Sequence, residues 1–333
     1  MDTWIIKKSD IAKVLNMQLC IDAVETSFRL YGQKKVLMPV KGYLYFESYN
    51  GDMRSMSAYI PDFSIAGTKA STVHPDNPAR QMPTLTATIL LIDPANGIPL
   101  AIMDGTYITS MRTGAAGGVA VKYLANEHIE TAGFIGAGAQ ARSLLDAMFV
   151  VRPRIRKIKV YDIRENRART FEEYCRKNYG AEVELEANIS DAVRNCQIVN
   201  TSTASRQPLF DPAVVSPGTH INAIGADAEG KQELSSSILK KSVLVIDDWA
   251  EASHTGEINV PVHMGELTRN DIQAELGEIV TGQKEGRQSE SDITVFDSAG
   301  LAFQDIVTAW RVYNMLIDND DFKAQLLKIN LAE

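Results

Sequence analysis

The sequence predicts an α/β protein of two domains: a Rossmann-type, doubly wound parallel sheet in the middle of the chain, and a discontinuous α+β domain assembled from its two ends. Three observations lead there. The chain has 333 residues, enough for about two domains. From Glu130 onward strand-like segments alternate with helical ones, the pattern of a parallel sheet connected by helices. Before that point strand-like pieces follow one another directly, with turn signals such as Asn50-Gly51 and Asn96-Gly97, and the apolar helical stretch 302–317 reads as a return to that first part. The expected division is 1–118 with 306–333 for the discontinuous domain and 119–305 for the parallel one.

Residues 9–31 carry apolar side chains at helical spacing (Ile11, Val14, Leu15, Ile21, Val24, Phe28), which predicts one helix with Ser9 or Asp10 as N-cap. Strands are expected over 42–48, 54–60, 65–72, 84–93 and 98–104, favouring a mostly antiparallel or mixed sheet with a helix packed on it. Residues 106–125 read as a helix despite Gly114, Gly117 and Gly118, each of which costs about 1 kcal/mol relative to alanine. Small residues there predict close approach of another backbone. Beyond Glu130, strands are expected over 131–135, 157–162, 182–186, 197–201, 220–224, 243–247 and 293–296, with helices such as 140–150 and 166–177 between them.

Composition removes several function classes. Hydrophobic residues are 45% and charged residues 23%, values that allow real cores and exclude bulk disorder. The formal net charge is −8 and no basic stripe is present, which argues against a nucleic-acid partner. Cys20, Cys175 and Cys196 are sparse and without CxxC spacing, so neither a disulfide framework nor a zinc site is expected. His74, His254 and His263 lack metal-ligand spacing, and no metal is expected. The N-terminal residues lack the order of a signal peptide, and no run of about 18 apolar residues occurs. The expectation is a cytoplasmic protein with no membrane partner.

The most informative motif is Gly136-Ala137-Gly138-Ala139-Gln140-Ala141, a GxGxxA turn after a strand and before a helix. Gly136 permits the tight turn, Gly138 lets backbone N–H groups approach a pyrophosphate, and Ala141 keeps helix and strand close. The helix N-terminus then offers unpaired donors and a partial positive charge to phosphates. The second strand ends in Asp162, close to the spacing expected for an acid that binds the adenosine ribose. A carboxylate there repels a 2′-phosphate, which predicts NAD(H) over NADP(H); Arg164 and Arg167 would soften that preference. Short-chain dehydrogenases place such a turn near the N-terminus and use a Tyr-xxx-Lys pair. Tyr31 and Lys35 have that spacing but precede the turn, and they read as a solvated helix end.

A small 2-oxo or 2-amino acid needs cations for its carboxylate and an acid/base near the reacting carbon. Lys41, Arg54, Lys69 and Arg112 stand in apolar or small-residue contexts and are candidates for the first task, against the alternative that each is a surface charge. Asp227 follows a strand and a short loop, where doubly wound sheets bind ligands, and is the candidate for the second, against an Asx-turn or cap.

Several ordered segments together resemble the ornithine cyclodeaminase/μ-crystallin family over nearly the whole chain. They are Met38-Pro39-Val40-Lys41, Gly51-Asp52-Met53-Arg54, Ser110-Met111-Arg112-Thr113-Gly114, the glycine turn, Gly225-Ala226-Asp227, Gly230-Lys231-Gln232-Glu233-Leu234, Gly256-Glu257-Ile258-Asn259-Val260 and Asp297-Ser298-Ala299-Gly300. The sequence is most similar to the family's archaeal-type alanine dehydrogenases. The resemblance implies one domain that binds nucleotide and another that binds substrate and forms a homodimer. It implies substrate contacts from Lys69 and Arg112, Asp227 as catalytic acid/base, and nucleotide contacts at Thr84, Arg112, Ala139, Gln140, Asp162, Thr203, Asn222, Ala223, Ile224, Gly225, Lys231 and Ser298. Cyclodeaminases of the family are similar except that a Glu stands at the place of Arg54, where it holds the distal ammonium of ornithine. An arginine would repel that group by roughly 4 kcal/mol at about 4 Å and an effective dielectric near 20. In the alanine dehydrogenase branch Lys41 and Arg54 are substrate-binding positions.

The expectation is an NAD-dependent enzyme interconverting L-alanine with pyruvate and ammonia through an iminium. Lys41, Arg54 and Lys69 would hold the substrate oxygens, Asp227 would serve proton transfer, and Lys69 is the second residue expected to be catalytic. The alternatives are a ketimine or imino-acid reductase, an ornithine cyclodeaminase on the same scaffold, or a non-catalytic NAD(P)H-binding protein of the μ-crystallin kind.

Overall fold

Alternating side chains in residues 51–104 build most of a seven-stranded sheet. The computed structural model, which describes residues 2–330, places its strands in the order Leu327–Asn330, Asp2–Ile6, Pro99–Asp104, Leu85–Ile92, Ile65–Val73, Gly51–Ile60 and Gly42–Phe46. Asp2–Ile6 runs parallel to Pro99–Asp104, and the other neighbours are antiparallel, so the sheet is mixed. The strands Asp2–Ile6 and Leu327–Asn330 were not expected. Each is only five or four residues long and too short to establish a period of two.

Register decides which side chains share a face. Arg54 stands opposite Ser71, Met56 opposite Lys69, Ala58 opposite Gly67 and Ile60 opposite Ile65. Lys69 in turn faces Ile89, and Gly67 faces Leu91. All of these lie on the buried side, so one face is apolar at one end and cationic at the other. The helix Ala302–Ile317 covers that face, and Met17–Gly32 packs on the helix, with Phe28 edge-on to Phe303 at 5.7 Å. Tyr31 stacks on Phe303 at 4.7 Å, so it is a packing residue rather than part of a solvated helix end.

The single helix expected over 9–31 is two helices, Lys8–Val14 and Met17–Gly32. The Asn16 side chain accepts the Leu19 N–H at 2.9 Å, a cap of about 1 kcal/mol that restarts the helix. Neither Ser9 nor Asp10 is the first cap. Lys7 holds that position, and Asp10 reaches back to accept the Lys7 N–H at 3.2 Å.

The second sheet has eight strands, all parallel. Its order is Ala274–Glu275, Val243–Ile246, Thr294–Asp297, His220–Ala223, Ile198–Thr201, Thr131–Ile135, Lys157–Tyr161 and Glu182–Leu185. The direction of winding reverses between Thr131–Ile135 and Ile198–Thr201, a topological switch point of the kind at which ligands bind. Consecutive residues feed opposite cores, because side chains alternate across a strand. Phe134 and Ile198 enter a cluster with Leu144, Ile158, Val160 and Phe171, while Ile135 and Val199 enter one with Ile221, Leu244 and Val295. Burying Phe134 alone contributes roughly 1.5–3 kcal/mol. The glycine-rich helix Gly105–Leu124 approaches closely, as expected. A Cβ at Gly114 would meet the Ser143 carbonyl oxygen at 2.3 Å, and one at Gly117 would meet Leu144 at 2.4 Å.

Two compact units result: the chain to Arg112 together with the chain from Leu301, and Thr113–Gly300. The first division falls within the helix Gly105–Leu124 and the second just before the helix Ala302–Ile317, whereas the boundaries expected from sequence, after residues 118 and 305, fall within those two helices. Helical periodicity runs unbroken through such a helix and does not mark which of its turns belongs to which core.

Candidate active site

In the discontinuous unit the site begins as a continuation of core-facing positions. Lys69 occupies a place where alternation predicts an apolar side chain, and it is 1% exposed. Lys41, Arg54 and Arg112 are buried as well. Such cations need counter-charge, and the first turn of the helix Ala302–Ile317 supplies it. Asp305 is fully buried and divides its two oxygens: Oδ2 is 2.6 Å from Lys69 Nζ, and Oδ1 accepts from Arg112 Nε at 3.0 Å. The neighbouring Gln304 Oε1 accepts from Arg112 Nη1 at 2.9 Å. Burial pushes the Lys69 ammonium down to about 7, helped by the charges of Arg112 and Lys41, while Asp305 opposes the fall. Arg54 is held by Asp52 (Nε to Oδ1, 2.8 Å) and lies 5.7 Å over the Tyr43 ring. The structure thus brings Lys41 and Arg112 close enough to Lys69 for their charges to act on it, and it adds Asp305 and Gln304, which sequence reasoning missed. Thr84 is exposed, next to the strand Leu85–Ile92.

In the parallel-sheet unit the site is made of backbone. Gly136 has φ +94, which favours glycine, and a Cβ there would stand 2.9 Å from the Ser202 carbonyl oxygen. Gly138 is the N-cap of the helix Ala139–Val151, with no side chain capping it, and a Cβ at Gly138 would meet nothing within 4 Å. The turn is therefore tight on one side and open on the other, where helix N–H donors remain. Asp162 sits beside it and accepts the Ala137 N–H and the Arg164 N–H, both at 2.8 Å. It does not cap the following helix, whose N-cap is Arg164. Ile163, at 88% exposure, follows directly.

The loops after the neighbouring strands carry the remaining candidates. Thr203 follows Ile198–Thr201, and Ile224 and Gly225 follow His220–Ala223. Asp227 forms an ion pair with Lys231 four residues on. The Ser298 N–H donates to the Ala223 carbonyl at 3.1 Å, and the Ser298 hydroxyl is buried without a protein partner. An orphaned hydroxyl, an uncapped helix start and an acid beside the turn fit a dinucleotide. Asn222 differs from the rest. Its side chain is fully buried in a ladder with Asn200 (3.0 Å) and His220 (3.0 Å), and His220 continues to Thr294 at 2.9 Å. Burial pushes the His220 imidazole down to about 3, so it is neutral in that ladder. The Asn222 side chain is thereby committed within the sheet, and only its backbone is available to a nucleotide.

Among the described residues no group of three or more His, Cys, Asp or Glu could hold a metal ion, and no helix is long and apolar enough to cross a membrane.

A helix start left open fits the phosphates of a nucleotide, and a cluster of buried cations fits a small organic anion. One chain carrying both defines the class: a two-unit, nucleotide-dependent oxidoreductase with a Rossmann-type sheet. Comparison with known proteins narrows the class. A sequence profile of the ornithine cyclodeaminase/mu-crystallin family matches residues 1–320, and the chain belongs to that family. It is 44% identical over 330 residues to an alanine dehydrogenase of Archaeoglobus fulgidus, covering 99% of this chain and all of that one. It is similar to the structure of an archaeal alanine dehydrogenase dimer with bound NAD, with TM-score 0.93, 44% identity, and coverage of 99% and 100% of the two chains. It is also similar to Δ1-pyrroline-2-carboxylate reductase of Thermococcus litoralis in complex with NADH and L-proline, with TM-score 0.92, 37% identity, and coverage of 95% and 98%.

Proposed function

We propose that the protein is an NAD-dependent oxidoreductase that interconverts L-alanine with pyruvate and ammonia. The observation that carries this reading is the 44% identity, end to end, with the alanine dehydrogenase of A. fulgidus. The buried cations support it, because Arg54 favours a short acid over a substrate with a cationic tail.

The open side of Gly138 and Ala139 takes the pyrophosphate, Asp162 the ribose hydroxyls, and the Ser298 hydroxyl and the loops at Thr203 and Gly225 further polar groups of the nucleotide. Bound NAD supplies a hydride acceptor, and NADH a hydride donor. Lys41, Arg54, Lys69 and Arg112 bind the substrate carboxylate and the oxygen on C2, which offsets their charge and orients the planar centre. In the aminating direction ammonia adds to C2 of pyruvate. Asp227 in its acid form gives a proton to the departing hydroxyl of the carbinolamine, water leaves, and the iminium remains. In the reverse direction the Asp227 carboxylate takes that proton from the attacking water. Lys231, paired with Asp227, holds the carboxylate in place. The chain acts as a homodimer. Leu37, Val40, Leu44, Tyr45 and Tyr49 are exposed on and beside the edge strand Gly42–Phe46, an apolar edge of the kind a second copy covers.

A second reading, reduction of a cyclic imino acid, needs the same carboxylate seat without ammonia, and the likeness to the T. litoralis reductase favours it. The test is nicotinamide absorbance with NAD and a panel of L-amino acids, and with NADH and either pyruvate plus ammonia or Δ1-pyrroline-2-carboxylate. Turnover with alanine and with pyruvate plus ammonia is expected. Turnover with the cyclic imine alone would replace the first reading by the second, and proline formed from ornithine would replace both.

A further inference from the structure

We propose that Glu233 is a positioning residue for dinucleotide binding: it clamps together the two loops beyond the carboxyl ends of the strands Ile198–Thr201 and His220–Ala223, so that the nucleotide meets a preformed seat. This rests on the reading that the parallel-sheet unit binds a dinucleotide, but on no choice of amino-acid substrate.

Four donors from those two strand ends converge on one carboxylate. Oε1 accepts the Thr203 N–H at 2.6 Å and the Thr203 hydroxyl at 2.7 Å. Oε2 accepts the Thr201 hydroxyl at 2.7 Å and the Gly225 N–H at 2.8 Å. Glu233 is fully buried, so each of these bonds replaces water it has lost. The loops come so close that a Cβ at Gly225 would stand 2.3 Å from the Thr203 carbonyl oxygen and 2.5 Å from the Glu233 carboxyl, which explains why glycine stands there. Thr203 Cγ2 and the Ser202 carbonyl in turn lie against Gly136 of the glycine turn. The clamp therefore reaches three pieces of the nucleotide seat.

Four donors require an acceptor-only group. A carboxylate offers lone pairs on both oxygens, whereas a carboxylic acid or an amide places a donor on one of them. A second carboxyl, Glu257, lies beneath and accepts the backbone N–H groups of Glu233 and Leu234. Glu257 is raised well above the usual carboxylate range by burial and by the charges of Glu233 and Asp297. Burial also raises Glu233, but its four donors favour the ionised form.

The experiment is titration of the full-length protein with NADH by fluorescence, for wild type and Glu233→Gln, with unfolding followed in parallel. The substitution would point an amide N–H₂ at the donors of Thr203 or Gly225. NADH binding is expected to weaken about tenfold to a hundredfold, while kcat at saturating dinucleotide stays within about threefold. Unchanged NADH affinity would overturn the proposal, and so would a collapse of kcat with affinity intact. If Glu233→Gln does not fold, hydrogen exchange on the wild type decides. The Thr203 and Gly225 amides are expected to be protected before NADH is added; free exchange that stops only on binding would overturn a preformed seat. Wild type that binds no NADH would instead remove the functional reading itself.

Discussion

In the discontinuous unit an anion would be met by side-chain charge: Lys41, Arg54, Lys69 and Arg112 are buried, and Asp305 sits between two of them. In the parallel-sheet unit the glycine turn offers backbone N–H groups at a helix start, and its supporting carboxylate, Glu233, ties loops rather than cations. Both arrangements use a buried acid to hold the binding groups, and both acids are invisible as ligands. They differ in what they hold. Ammonium and guanidinium groups respond to a lost counter-charge and, for lysine, to pH; backbone donors do neither and respond only to shape.

The sharpest way to break this comparison is Asp305→Ala. It leaves Lys69 and Arg112 buried without their shared counter-charge, and removal of one partner from such a pair costs about 3–5 kcal/mol. Urea denaturation should show a loss of that size. A loss below about 1 kcal/mol would mean that the cations find other partners and that Asp305 is not their anchor.

The pH dependence is next in size. Lys69 is held down to about 7, from an ordinary value of 10.5, mainly by burial and then by Arg112. Below about 7 both folded and unfolded chains hold the proton, so its contribution to stability is constant. Between about 7 and 10.5 only the unfolded chain holds it, so this group makes stability rise with pH. Substrate binding goes the other way, because the carboxylate needs the ammonium. The KM for pyruvate should rise above about pH 7 by up to about tenfold per pH unit, and Lys69→Arg should flatten the profile because guanidinium stays charged. A flat wild-type profile would remove Lys69 from the carboxylate seat.

The smallest effect on the fold, and the cleanest contrast, belongs to Gly138→Ala. No protein atom meets the added Cβ and φ is −81, so unfolding should shift by no more than about 1 kcal/mol. NADH affinity should nevertheless fall, since the methyl group occupies the open side of the turn. Unchanged affinity would place the pyrophosphate elsewhere.

Legibility followed the same division. The glycine turn, Asp162 and the alternation after Glu130 are local patterns, and seven of the eight strands of the parallel sheet lie where those patterns put them; the eighth, Ala274–Glu275, is two residues long and too short to show a period. The place of Thr294–Asp297, inserted between His220–Ala223 and Val243–Ile246, had no local signal. The family resemblance implied a nucleotide contact at Asn222, and strand alternation places its side chain in the ladder with His220 and Asn200, which no local pattern foretold. The break at Asn16 was concealed because apolar spacing continues across it.

Local order along the chain determined the strands, the glycine turn and the identity of the charged residues, because each depends on neighbours a few positions away. Which carboxylate would anchor which group was decided only by tertiary structure. Asp305 reaches Lys69 and Arg112 because sheet register puts Lys69 on the covered face and the final long helix returns across it. Glu233 reaches Thr203 and Gly225 because parallel pairing sets the ends of two strands side by side. Such convergence joins positions far apart in the chain, and no short-range periodicity encodes it.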